Sequence, residues 1–168
     1  QATTAAMLST MKRALARNLK SSEQLAIVYS AEKKRVRDSL TQQLGEMLRS
    51  QGSDQRAYGV TGDTPMLLKN LVIADITSGG GPRPLNIGVV AATSTLGCGV
   101  NAELCSIVVH FGLTMSLVEY LQEMSRAGRK PLPDGAEFVY ENCCTFSHVS
   151  FTLLARRAFG KEVVCKAD

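Results

Sequence analysis

Two motifs are missing from this chain, and their absence limits what it can do by itself. No Gly-x-x-x-x-Gly-Lys-Ser/Thr loop occurs, and no Asp-Glu-x-His segment. The first would wrap backbone N–H groups around phosphates, and the second would hold magnesium and activate water. Gly79-Gly80-Gly81 lacks the Lys-Ser/Thr ending and reads as a flexible connection before Pro82. No apolar run approaches the roughly 20 residues of a membrane span, and the start lacks the continuous apolar core of a secretory signal. A soluble protein with no membrane partner is therefore expected. Acidic residues are absent before Glu23, whereas Lys12, Arg13, Arg17 and Lys20 precede it. That composition fits an organelle-targeting segment as well as an amphipathic helix with a solvated basic face. Regular cysteine spacing is also lacking: the five cysteines are odd in number and two are adjacent, Cys143-Cys144. They read as reduced thiols inside a cell rather than the framework of a small secreted domain. The chain opens on Gln rather than Met, as a processed or excised piece would.

What is present is ordinary for a globular domain: 168 residues, 45% hydrophobic and 20% charged, with no internal repeat. That is enough for one domain with a sizeable core. A net charge of +4 and a pI near 8.9 are compatible with a polyanionic partner without arguing for one. Ala5, Met7, Leu8, Met11, Leu15 and Leu19 recur at helical spacing and predict a first helix, broken at Ser21-Ser22. A buried strand is expected at Leu25 to Tyr29, then a helix from Ala31 capped by Ser30 and carrying Val36, Leu40, Leu44 and Leu48. A strand at about 56 to 60, a helix at about 64 to 77 and a strand at 87 to 92 follow. The pattern continues with a strand at Ser106 to His110, a helix from about Ser116 to Arg126, a turn at Pro131 to Gly135 and a strand at Phe138 to Tyr140. Continuous apolar strands separated by helices imply an α/β fold, with a mainly parallel sheet covered on both faces. Ligands of such sheets gather at the carboxyl ends of the strands, where Ser30, Thr93 and Ser94 fall. A final helix around Phe146 to Phe159 reads as an appendage.

Two segments carry the chemistry. Gln122-Glu123-Met124-Ser125-Arg126-Ala127-Gly128-Arg129 places two arginines three apart around a small Ala-Gly pair, a charged fork suited to phosphate oxygens. The alternative is two exposed arginines that favour a helix dipole. Upstream, Ile87 to Ala92 leads into Ala92-Thr93-Ser94-Thr95-Leu96-Gly97-Cys98-Gly99-Val100-Asn101, a buried strand delivering hydroxyls and flexible backbone to a loop. Together they resemble motifs VI and V of superfamily 2 helicases, closest to the RecQ branch. Ala26-Ile27-Val28-Tyr29-Ser30 is similar to motif IV, and Tyr58-Gly59-Val60-Thr61-Gly62-Asp63 to the strand and loop after it. The resemblance spans about residues 24 to 140.

The resemblance implies a three-layer second RecA-like domain over 1–140, with 1–23 as an N-terminal helix and 141–168 as a helical appendage. It makes Arg129 the arginine finger on ATP, with Arg126 in the same cleft, and puts Gln122, Asn101 and Gly99 on the nucleotide side. A guanidinium suits that task because it cannot lose its proton. Thr93, Ser94, Ser30, Thr61 and Gly62 would contact the phosphate backbone of single-stranded or partly duplex DNA, as hydroxyls and amides do when sequence is not read. Strand-end capping is the alternative reading for both hydroxyls, and it suits Ser94 better than Thr93. ATP with Mg2+ is expected only once a first RecA-like domain, in cis or in trans, completes the cleft; the chain alone is half an ATPase and is expected to be inactive. An intracellular location is expected, nuclear in a eukaryote.

Departures from the pattern set up the alternative of a degenerate, non-catalytic module that binds nucleic acid or a protein. Asn101 stands for an aspartate, Ser125 for a glycine whose replacement would crowd a tight turn, and Lys130 for an aspartate beside the finger. Phe159-Gly160 and Cys165 faintly resemble part of a RecQ zinc subdomain whose first ligand would fall near Ser150. Cys143, Cys144 and His148 are the other candidate ligands, but a structural site normally needs four, so no zinc is expected. An unrelated α/β enzyme has no constellation here: His110 and His148 lack an evident acid partner and read as structural.

Overall fold

The computed structural model describes residues 2–19, 24–78, 81, 83–96, 100–112, 117–127, 129 and 139–143. Five strands, β1 (Leu25–Tyr29), β2 (Arg56–Val60), β3 (Ile87–Ala92), β4 (Cys105–Phe111) and β5 (Val139–Cys143), form one sheet in the order β2-β3-β1-β4-β5. Every pairing is parallel. β1, β3 and β4 are buried along their whole lengths, which is why they read as largely apolar runs rather than alternating ones, β4 also burying Ser106 and His110. β5 runs to Cys143, so the boundary expected at 140/141 falls inside a strand. The appendage expected beyond it, from 144, lies outside the described residues, as do the turn at 131–135 and the glycine loop apart from Gly81.

Alternation within each strand feeds two cores. One holds Met11 and Leu15 of α1 (Ala2–Asn18) with Leu44 and Leu48 of α3 (Thr41–Ser50), packed on Ala26, Val28, Val89 and Val109. The other holds Val72 and Ile76 of α4 (Met66–Ile76), with Leu96, Val100 and Ala127, on Ile27, Tyr29, Val90 and Val108. Helix α5 (Leu117–Met124) adds Tyr120 and Met124 beside Tyr140. These are the helix layers of a three-layer α/β fold.

The helix after β1 departs from expectation. It starts at Lys33 as α2 (Lys33–Arg35), with Glu32 rather than Ser30 at the N-cap; Ser30 Oγ instead accepts the Glu32 N–H at 3.4 Å. A π-helical turn, Val36–Leu40, then leads into α3. An apolar line repeating every four residues drifts by about 40° per step on an α-helix, and one wider turn offsets that drift. Val36, Leu40, Leu44 and Leu48 consequently all stay buried. Thr41 Oγ1 donates to the Val36 carbonyl at 2.6 Å, and a Cβ on Gly59 of β2 would sit 2.5 Å from that Thr41 hydroxyl oxygen, so only glycine permits this approach.

The segment feeding β3 is fixed by Asp75, whose fully buried carboxylate accepts the N–H of Leu85 at 2.8 Å and of Ile87 at 3.1 Å. Arg83 stands beside it, Nε 3.5 Å from Oδ2, and also donates to the Ile87 carbonyl. Among the described residues no helix is long and apolar enough to cross a membrane, and no group of three or more His, Cys, Asp or Glu could hold a metal ion.

Candidate nucleic-acid and nucleotide interface

From β1 the chain jumps to the edge strand β2 and returns through β3 beside β1, then crosses β1 to β4 and β5 on the other side. Such a switch point leaves a crevice at the carboxyl ends of the strands. A small open pocket of about 110 Å3 lies there, lined by Ser30, Ala31, Thr93, Ser94, His110 and Glu123 among others. Three of the expected strand-contacting residues therefore share one depression. Ser30 N–H donates to the Ala92 carbonyl at 2.9 Å and Thr93 N–H to the Val60 carbonyl at 3.1 Å, so the sheet ladder itself sets their positions.

Thr61 and Gly62 follow on the neighbouring strand. Thr61 is mostly buried in a turn closed by Thr64, whose Oγ1 accepts the Thr61 N–H at 2.8 Å, so its hydroxyl is less presented than Ser94, which is exposed. Gly62 is exposed, and Thr93 Oγ1 lies 2.9 Å from Thr95 Oγ1, extending the hydroxyl row toward it.

Helix α5 closes the pocket from the other side. Glu123 is 3% exposed and its Oε2 lies 2.9 Å from His110 Nε2, itself 2% exposed. The imidazole is stacked on Tyr29, centroids 5.5 Å apart, and tilted against Tyr120 at 4.6 Å. His110 thus has the acid partner that was not evident in the sequence, and the pair joins β4 to α5, the helix that leads into the arginine turn. Burial and the Glu123 carboxylate push the Tyr29 hydroxyl above the usual phenol range, while the Arg126 guanidinium pulls it back. Cys105, buried at the start of β4, is pushed up to about 12 by burial, which makes it an inert thiol.

The two arginines do not form one surface fork. Arg126 is 2% exposed, donates through Nη1 to the carbonyl of Val100, and has a buried Nε without a partner. Arg129 is exposed; its Nε donates to the Ser125 carbonyl at 3.3 Å and its Nη1 to Asn101 Oδ1 at 3.1 Å. Asn101 in turn donates to Glu103 Oε1 at 3.2 Å. The segment Val100-Asn101 and the end of α5 are therefore tied by both arginines, one inside and one outside. Gln122 is exposed, and Gly99, Gly97, Cys98, Gly128 and Lys130 lie outside the described residues. The crowding expected at Ser125 does not occur: the side chain is exposed and Oγ donates to the Gln122 carbonyl at 2.8 Å.

The helicase conserved C-terminal domain profile matches residues 7–131 of this chain. The chain belongs to that family. This helicase domain is 32% identical over 115 residues to the ATP-dependent DNA helicase RecQ of Haemophilus influenzae, covering 68% of the chain and 16% of the relative. Over 56 residues it is 46% identical to RecQ of Pasteurella multocida, covering 33% of the chain and 9% of that protein. The chain thus spans less than a fifth of the length of these relatives. Among solved structures it resembles S. cerevisiae Dbp5 bound to RNA and ADP BeF3, with a TM-score of 0.65 at 19% identity over 96% of the chain and 38% of Dbp5, a likeness of fold. The RecQ-like, RecA-type reading of the sequence is thereby established for this helicase domain. Two residues were missed by that reading. Tyr140 of β5 donates its hydroxyl to the Ala127 carbonyl at 3.2 Å, bracing the arginine turn, and Lys33 lies against Gly62. A tyrosine in a strand gave no sign of the first, and a lysine among other helix charges gave none of the second.

Proposed function

We propose that this helicase C-terminal domain is the second RecA-like half of a RecQ-like ATP-dependent DNA helicase, translocating 3′ to 5′ on one strand. It would grip the strand through Ser30, Thr93, Ser94, Thr61 and Gly62 and supply Arg129 to ATP held mainly by a first RecA-like half. The observation that carries the reading is the pairing of an exposed Arg129, held by Asn101 just past the end of α5, with a hydroxyl-lined pocket that α5 walls on one side. The resemblance to RecQ, a DNA helicase, favours DNA over RNA.

The residues fit one edge of a magnesium-bound triphosphate and no more. Arg129 and Asn101 offer a guanidinium and an amide at the surface, and the phosphate loop must come from elsewhere. Bound ATP supplies the phosphoryl group to be transferred to water. Arg129 would leave Asn101 and neutralise charge growing on that group. Arg126, buried on the Val100 carbonyl, would hold the turn that aims Arg129 rather than touch phosphate itself.

One observation favours a second reading, a non-catalytic strand-binding module. Arg129 is already held by Asn101, where the family pattern has an aspartate. A chimera carrying residues 7–131 in place of the matching segment of H. influenzae RecQ separates the two. DNA-stimulated ATP hydrolysis that falls about a thousandfold in kcat with Arg129→Ala is expected. A folded chimera that binds DNA but hydrolyses no ATP, or whose turnover ignores Arg129→Ala, would establish the module instead.

A further inference from the structure

We propose that the groove between helix α3 and the open edge of β2 is a docking site for an extended acidic peptide, which adds to β2 as a further strand and sets neighbouring carboxylates on Arg49 and Arg56. The groove runs along the outer side of the sheet toward the start of β2, away from the pocket at the carboxyl ends of the strands, so it stands apart from the function proposed above.

Among the described residues β2 has a strand neighbour on one side only, β3. Arg56 N–H donates to the Asn86 carbonyl at 2.9 Å, and the Val60 carbonyl accepts the Thr93 N–H at 3.1 Å. Backbone groups of successive strand residues point to opposite sides, so Arg56, Tyr58 and Val60 face β3 while those of Ala57 and Gly59 point outward. Thr41 crowds Gly59, which leaves Ala57 as the accessible position. An unpaired strand edge is a template for another extended chain.

Helix α3 forms the facing wall of an open groove of about 470 Å3, whose lining includes Gln42, Gly45, Arg49, Asp54, Arg56 and Ala57. Small side chains make the hollow: a Cβ built on Gly45 would stand 3.9 Å from the Ala57 Cβ, and Arg49 Nη1 lies 3.7 Å from that same position. Arg49 and Arg56 are exposed, and among the described residues neither guanidinium has a hydrogen-bond or ion-pair partner. Arg35, Arg37 and Arg83, by contrast, each stand beside a carboxylate of this chain.

These features select the occupant. A peptide backbone matches the N–H and carbonyl of a strand edge, which a sugar–phosphate chain does not. Ala57 packs toward the α3 side of the sheet and Tyr58 toward the other, so Arg56 also lies on the far side from α3. Adjacent side chains of an added strand alternate in the same way, so one carboxylate meets Arg49 and the next meets Arg56. Guanidinium and carboxylate pair through parallel N–H···O bonds. Asp54, the one carboxylate in the lining, leaves the groove net positive and disfavours a further acid beside it.

The test uses this chain and a fluorescein-labelled peptide, Thr-Val-Thr-Glu-Glu-Val-Thr-Val, read by anisotropy against a control with both Glu replaced by Gln. The acidic peptide is expected to bind more tightly than the control, and Arg49→Gln and Arg56→Gln should each weaken it about twofold to fivefold, with no change for Arg17→Gln on exposed α1. Gly45→Leu fills the hollow without weakening α3, since glycine is the poorer helix former; it should abolish binding while circular dichroism stays that of wild type. Hydrogen exchange at the Ala57 amide should slow in the complex. No binding, or equal binding of the two peptides, would overturn the proposal. Binding that leaves Ala57 exchange unchanged would make the contact a purely ionic one and overturn strand addition. An oligothymidylate that binds through Arg49 and Arg56 where the peptide does not would make the groove a nucleic-acid contact instead.

Discussion

His110 Nε2 and Glu123 Oε2 stand 2.9 Å apart, both all but excluded from solvent, so one contact fastens the helix leading into the arginine turn to the strand that ends in the pocket. Breaking it from one side leaves a polar group buried without its partner, which costs more than the contact is worth when made. Glu123→Ala is expected to lower unfolding free energy by about 2–4 kcal/mol, and Glu123→Gln, which keeps an acceptor for the imidazole, by distinctly less. Urea denaturation followed by circular dichroism measures both. Equal losses for the two substitutions would mean that packing rather than the polar contact matters at this position.

The two arginines should separate cleanly in stability. Arg126→Ala removes a buried donor from the Val100 carbonyl and empties packed volume, so a loss of about 3 kcal/mol is expected. Arg129 is exposed on both of its contacts, and Arg129→Ala should stay within about 0.5 kcal/mol of wild type. The comparison distinguishes an anchoring arginine from one available to a ligand.

Asp75→Asn tests the loop that feeds β3. The carboxylate accepts two backbone N–H groups and faces Arg83, and an amide can replace only part of this. A loss of about 2–4 kcal/mol is expected, with faster hydrogen exchange at the amides of Leu85 and Ile87 as the local signature.

Alkaline pH should destabilise the domain through Cys105. Its thiol keeps its proton to about pH 12 in the fold, against an ordinary value of 9.0. The unfolded chain therefore loses that proton first. Stability from this group is complete below pH 9.0 and is lost as pH rises toward 12, by up to about 1.4 kcal/mol per pH unit. The buried Tyr29 hydroxyl, raised from 10.0, adds to the decline further up. Urea midpoints should hold level around neutrality and fall above pH 9.0, and Cys105→Ala should flatten the first part of that fall.

Strand positions were legible because a strand buried on both faces cannot alternate: Leu25–Tyr29 and Ile87–Ala92 lie where the sequence placed them. Four motifs in order also made the RecQ-like domain legible. Contacts between elements were not. His110 and Glu123 are thirteen residues apart on a strand and a helix, and no local pattern announces that they meet. Arg126 and Arg129 look equivalent in sequence, yet the turn after α5 buries one and exposes the other. The π turn was written in the strict four-residue repeat from Val36 to Leu48, but choosing between a wide turn and a drifting apolar stripe requires knowing that Gly59 and Thr41 meet.

The strand track itself is tested most directly by binding of single-stranded DNA to this chain at two salt concentrations, comparing wild type with Thr93→Ala and Arg129→Ala. The account predicts binding that weakens with salt and with Thr93→Ala, and that barely responds to Arg129→Ala, because in the proposed function the hydroxyls would grip the strand while Arg129 would act on a nucleotide held by another domain. Absence of binding, or binding indifferent to Thr93, would contradict it.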